Sequence, residues 1–286
     1  MLCCLALWLT SAFARGGKYH DADVKETHRP ISSFADIDGA IPPVSAGVTC
    51  PSLQVMTSAS ERVKELVSII PQITATERVE HFEWAGHDKW RPPHIASFNY
   101  VAELQEIQPG MLHMQEMRNG STSPNLLPGP LADLGLPAIA LIFHPYFVDE
   151  YDFFCEGLGE WNGKPAWQVH FQQRLDKPAR IRVYRAGMRS FPVKLKGRAW
   201  FAPDDGHVLH VETDLLQPIP ELRLYREHLA IDYEPVRFKK SNEDFWLPSM
   251  ADVFLNIQNR MYHRRHLFSD FMLFSVDVEE KRAEPK

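Results

Sequence analysis

From Phe153 onward the chain runs as short apolar-rich stretches separated by turn residues, with no helix-length pattern between them. Glu160-Trp161-Asn162-Gly163-Lys164 carries the Asn-Gly pair of a tight hairpin, since both residues tolerate positive φ. Trp167, Val169 and Phe171 then alternate with Gln168 and His170, which makes one strand face apolar. Residues 181–184, 198–201, 208–213, 222–233, 252–258 and 268–279 read as further strands. Parallel strands need long crossovers, most often helical. Their absence here predicts an antiparallel sheet.

The first half adds helices to this sheet. Ser58-Ala59-Ser60-Glu61 is a capping box, in which hydroxyl and carboxylate satisfy free amides at a helix start. Val63, Leu66, Val67 and Ile70 follow on one helical face, and Pro71 closes the segment. Phe98, Tyr100, Ala102 and Leu104 alternate with Asn99, Val101 and Glu103 as a half-buried strand, with 111–117 as the next. Residues 119–130 (NGSTSPNLLPGP) form a loop, and 136–147 (LPAIALIFHPYF) a short apolar helix that starts at a proline. This helix is apolar all round, so it is buried or covers something apolar. The fold class is α+β: one large curved antiparallel sheet with a few helices packed on one face.

The start of the chain has its own character. Residues 1–14 (MLCCLALWLTSAFA) hold no charged side chain and end in an A-x-A pattern, as a cleaved secretory signal does. The run is shorter than the roughly 20 residues of a spanning helix. The alternative is a buried strand or helix, or a fragment of a membrane anchor. Residues 15–50 are polar and without period, a flexible leader into a single domain over 51–286. Beyond the signal two cysteines remain, Cys50 and Cys155. In an oxidising compartment they can form a disulfide, and otherwise they are two buried thiols.

Candidate chemistry concentrates in residues 198–215 (RAWFAPDDGHVLHVETDL), with two histidines and four acidic residues. Pro203-Asp204-Asp205-Gly206 is turn chemistry. His207 and His210 are three apart on a strand and face opposite sides, which argues against a metal pair. His263-Arg264-Arg265-His266 reads as a surface basic segment. The net charge of −6 argues against a nucleic-acid partner. Zinc, nucleophile-elbow, dinucleotide and P-loop motifs do not occur, so no catalytic residue, metal or cofactor is expected. Trp84, Trp90, Trp161, Trp167, Trp200 and Trp246 either fill the core or line an apolar groove. Burial at about 0.8 kcal/mol per CH₂ lets a ~16-carbon chain supply on the order of 10 kcal/mol to such a groove.

Several local patterns resemble one family. A signal, a capped helix running into residues 77–84 (ERVEHFEW) and a meander of long strands look like the outer-membrane lipoprotein-sorting (LolA-like) superfamily. The second half is closest. Gly197-Arg198-Ala199-Trp200, the turn Asp204-Asp205-Gly206 and the returning 207–212 are similar to that group's tryptophan strand, turn and return. Phe245-Trp246-Leu247-Pro248 and residues 266–274 also fit. Secreted proteins of Gram-negative bacteria, notably acidobacterial ones, share this ending. The resemblance implies an unclosed half-barrel wrapped over helices, with an apolar cavity for acyl chains and no catalysis.

The expectation is a non-catalytic envelope protein, periplasmic or secreted, that binds a lipid or lipid-modified protein. It is peripheral to a membrane at most, and its oligomeric state is open. The groove would draw on Phe98, Tyr100 and Leu104 from the first strands and on Ile139 and Ile142 from the apolar helix. Trp167, Val169, Phe171 and Leu224 would add to it from the meander. Two rivals stand beside this reading: an envelope sensor or assembly-factor domain that binds a protein partner, and a hydrolase with dispersed His and Asp residues.

Overall fold

In the computed structural model, residues 36–69, 72–87, 89–108, 111–119, 132–134, 136–186, 188–238 and 244–273 are described. The Asn-Gly hairpin forms as its chemistry requires. Asn162 and Gly163 both hold positive φ, 49° and 76°, and join β6 (Tyr151–Trp161) to β7 (Lys164–Gln173). The turn at residues 203–206 joins β10 (Leu195–Phe201) to β11 (Val208–Leu215) in the same antiparallel manner. The longest pairing follows, β12 (Leu224–Arg237) with β13 (Asp244–Ile257), and β13 turns back into β14 (Arg260–Leu273). The expected strand 268–279 is met only to Leu273, and its remainder lies outside the described residues.

Strands β1 (Gln72–Gly86), β3 (His94–Gln108) and β4 (Met111–Asn119) extend the same sheet beyond β14, and a short β2 (Lys89–Trp90) pairs with β1. The order is β4-β3-β1-β14-β13-β12-β11-β10-β7-β6, antiparallel throughout. Among the described residues β4 and β6 do not meet, so the sheet is an unclosed half-barrel. A second sheet of β5 (Ala132–Leu134), β8 (Arg182–Ala186) and β9 (Arg189–Val193) stands apart from it.

Directly paired residues point to the same side of a sheet. Val169, Ala199, Val211, Ile231, Ala251, His266 and Val79 are linked strand by strand in this way, and they define the inner face. Two helical pieces lie on it. The first, α1 (Ser52–Ile69), presents the buried Val55, Ala59 and Val63 to the core. The second is the apolar segment, whose regular part is a 3-10 helix over Pro137–Phe143 with every described side chain buried. Phe143 meets Phe153, Phe171 and Phe201 at centroid distances of 5.9, 5.6 and 4.9 Å. Gly197 makes room for this cluster, since a Cβ there would overlap the Phe171 ring and the Glu212 carbonyl.

Two expectations change. The helix begins at Ser52, six residues before the capping box, with the Val55 amide donating to the Pro51 carbonyl at 3.0 Å. Ser58 instead packs against the turn at Gly206, whose φ is 77°, where a Cβ would lie 2.7 Å from that of Ser58. Ile70 and Pro71 lie outside the described residues, as do residues 1–35 with the expected signal. The second change concerns 263–266, expected as a surface basic segment. All four side chains are buried in β14: Asp252 of β13 takes His263 and Arg265, Glu77 of β1 takes His266, and Arg264 donates to His81 of β1.

Candidate functional site

The C-terminal half of α1 has a cavity on each flank. One, of about 510 Å³, lies between Arg62, Val63, Glu65 and Leu66 of α1 and the ends of β12 and β13, where Tyr233, Phe245 and Trp246 line it. Ala140 of the 3-10 segment and His207 of the turn close its other sides. The other, of about 550 Å³, lies beside Lys64, Val67 and Ser68, with Leu104 and Glu106 of β3, Leu112 of β4 and the turn at 144–146. At 3.6 residues per turn the two sets fall on opposite sides of the helix. Both volumes are within the roughly 300–1,000 Å³ of small-molecule sites.

The cavities differ in polar character. In the first, His207 stacks on Trp246 at 5.4 Å, and Arg62 donates to the Asp205 carbonyl at 3.0 Å and to Glu65 at 2.7 Å. Burial holds the His207 imidazole below its ordinary pKa, against the pull of Asp205. In the second, Val67, Leu104, Leu112 and Pro145 supply apolar lining. The Tyr146 hydroxyl donates to Glu106 at 2.6 Å, and burial lowers the His144 pKa below its ordinary value.

Of the residues expected to line a groove, Leu104 is the one that lines a described cavity. Phe98, Tyr100, Ile139, Ile142, Val169, Phe171 and Leu224 are buried in packing, and Trp167 is half-buried against the same core. The 3-10 segment and the aromatic cluster fill the inner face at the β6–β7–β10 end. His207 and His210 do lie on opposite sides. His210 is buried on the outer face beneath Trp161, 3.6 Å between centroids, with Asp232 at 2.7 Å and Glu212 at 3.2 Å.

Another buried group was not legible in advance. On the inner face of β14, β1 and β4, Glu77 takes Arg118 at 2.6 and 3.0 Å and His266 at 2.8 Å. Beside them the Tyr100 hydroxyl donates to Glu116 at 2.6 Å, and Arg264 donates to His81 at 3.1 Å. Burial works against ionisation of Glu77, but the His266 and Arg118 partners hold its carboxyl below the ordinary value. On the outer face, His263 is sandwiched between Phe254 and Phe82 and bonds Asp252 at 2.6 Å. Among the described residues no group of His, Cys, Asp and Glu has the geometry to hold a metal ion, and no helix is long and apolar enough to cross a membrane.

Residues 36–50, the described part of the expected leader, are held against the body of the protein. Ile37 is buried, and its amide donates to Asp214 at 2.7 Å. Cys50 is bonded to Cys155 of β6, with their Cα atoms 6.3 Å apart.

The sequence matches no protein-family model and no curated protein. Among solved structures, the chain is similar to an outer membrane lipoprotein-sorting protein domain from Vibrio parahaemolyticus, at 12% identity and TM-score 0.44, over 80% of this chain and 95% of that one. It is similar to a LolA superfamily protein from Nitrosomonas europaea, at 12% identity and TM-score 0.38, over 77% and 94%. It is also similar to a DUF1329 family protein from Desulfovibrio piger, at 9% identity and TM-score 0.40, over 81% and 95%. The lipoprotein-sorting resemblance read from the sequence recurs among these structures, at identities too low to carry any residue's role across.

Proposed function

We propose that the protein is a non-catalytic binding protein of the Gram-negative cell envelope that takes an acyl chain, of a lipid or a lipid-modified protein, alongside α1. The observation that carries this reading is the pair of cavities flanking α1 on a face whose other half is filled. Burying a ~16-carbon chain there supplies on the order of 10 kcal/mol. That is comparable with an association cost of roughly 4–15 kcal/mol. The Cys50–Cys155 bond supports an oxidising compartment, and with it export by a cleaved signal over 1–14; a single domain over 51–286 completes the reading.

The test is titration of the full chain with a fluorescent fatty acid, together with mass spectrometry of organic extracts of the purified protein. Wild type is expected to shift the probe saturably. Leu104→Arg should abolish binding on the β3 flank, and Leu66→Arg on the other, with far-UV circular dichroism unchanged. A wild-type protein that neither carries lipid nor shifts the probe overturns the proposal.

A further inference from the structure

Residues 36–45 lie along the outer face of β7, β10 and β11. Ile37 is the one buried apolar anchor within this segment. Buried charged side chains hold the Ile37 peptide groups: the amide donates to Asp214 Oδ2 at 2.7 Å, and the carbonyl accepts from Arg198 Nη1 at 3.0 Å. Arg198 is fixed by Glu156 at 2.6 and 2.8 Å, and Asp214 by the His228 imidazole at 2.8 Å. On either side of Ile37 an acid is held. Lys196 bonds Asp36 at 2.6 Å and also bonds Asp38, which in addition meets His170 at 2.9 Å. Further along, Gln168 reaches the Pro42 carbonyl at 3.4 Å and the Ser45 amide donates to Leu158 at 2.8 Å.

Two properties of this seat matter. It is complementary to a tight turn, closed by the Gly39 amide donating to the Asp36 carbonyl at 2.8 Å: Arg198 and Asp214 bond the two main-chain groups of Ile37 while Lys196 and His170 bond the acids beside it. It is also made of charged and polar side chains, which water solvates when they are uncovered, whereas an emptied apolar seat would stay exposed hydrocarbon. Such a contact can open at little cost beyond the burial of one isoleucine. We infer that the outer face of β7, β10 and β11 is a peptide-binding site for an acidic–aliphatic–acidic turn of a partner protein. The chain occupies that site in cis with Asp36-Ile37-Asp38. This inference is independent of the acyl-chain reading, which concerns the other face.

The test uses the full chain with Ile37→Arg, which removes the anchor and frees the groove. A fluorescein-labelled peptide with the sequence of residues 34–46 (FADIDGAIPPVSA) is titrated by fluorescence polarisation. Saturable binding to Ile37→Arg is expected, with wild type at least about tenfold weaker because its own segment competes. Adding Lys196→Glu should weaken binding by about tenfold or more, through two lost ion pairs and new repulsion. Should Ile37→Arg lose its far-UV spectrum, Asp36→Lys with Asp38→Lys replaces it, since both acids sit at the surface. Absence of saturable binding, or binding unaffected by Lys196→Glu, overturns the inference. Reciprocal exchange of the segment between two copies, seen as a stable dimer that ignores the peptide, overturns it too.

Discussion

The two ends of the inner face follow opposite solutions on one continuous sheet. At the β6–β7–β10 end, Phe143, Phe153, Phe171 and Phe201 meet edge-on or tilted, and Leu195, Ala199 and Val169 close around them without a charged side chain in the cluster. At the β14–β1–β3–β4 end, the same face buries Glu77, His81, Arg264 and His266, and Arg118 and Glu116 join them. The apolar end draws its stability from shape and hydrocarbon burial. The polar end draws its specificity from partner choice, because every buried charge there must find one particular opposite.

The comparison can be broken from the apolar side first. Phe171→Ala removes a fully buried ring from the centre of the cluster and should cost about 4 kcal/mol, read as a fall in the urea midpoint. Glu77→Ala takes their shared carboxylate from Arg118 and His266 and should cost about 3 kcal/mol by the same measurement. The triple change Glu77→Leu, Arg118→Met and His266→Leu sharpens the contrast: it should recover most of that loss, because apolar groups of similar size replace Glu77 together with both of its partners. A triple variant no more stable than Glu77→Ala would place the network's importance in geometry and not in desolvation.

Acid separates the two ends more gently. Partners hold Glu77 below its ordinary 4.5, and Asp252 below 3.8. A carboxyl depressed in the folded state contributes stability above its unfolded pKa and loses it as pH falls through the folded value. Protection factors at β14 and β1, corrected for the intrinsic exchange rate, should therefore fall as pH drops below about 4.5, before those at β7 and β10 change. Simultaneous loss of protection at both ends would show that the sheet opens as one unit. At the small end of the scale, Arg237→Ala should leave the urea midpoint unchanged, since its pair with Asp244 is solvent-exposed.

The same contrast explains what could be read in advance. Turn chemistry and alternation are local, so the Asn162-Gly163 hairpin, the 203–206 turn and the antiparallel half-barrel were legible. The capping box at Ser58 misled because its four-residue pattern also suits a helix interior, where Ser58 is small enough to meet Gly206. The 263–266 stretch misled because its partners come from other strands: Asp252 is 11 positions from His263, and Glu77 is 189 from His266. Apolar positions such as Val169 and Phe171 announce burial by period alone. Whether they line an open groove or meet a 3-10 segment depends on where residues 137–143 land, which no local pattern carries.

The anchoring of the outer-face segment has a quantitative consequence. Ile37 lies 13 positions before Cys50, which is bonded to Cys155, and α1 starts two residues later. Once its contacts release, a chain of that length spans roughly 20 Å root-mean-square. Its tip therefore samples the groove at an effective concentration on the order of millimolar. A free partner at micromolar concentration meets a site already occupied unless its own segment binds far more tightly. A partner held beside the protein, on the same membrane or in the same complex, competes on equal terms. The groove thus responds to proximity more than to abundance.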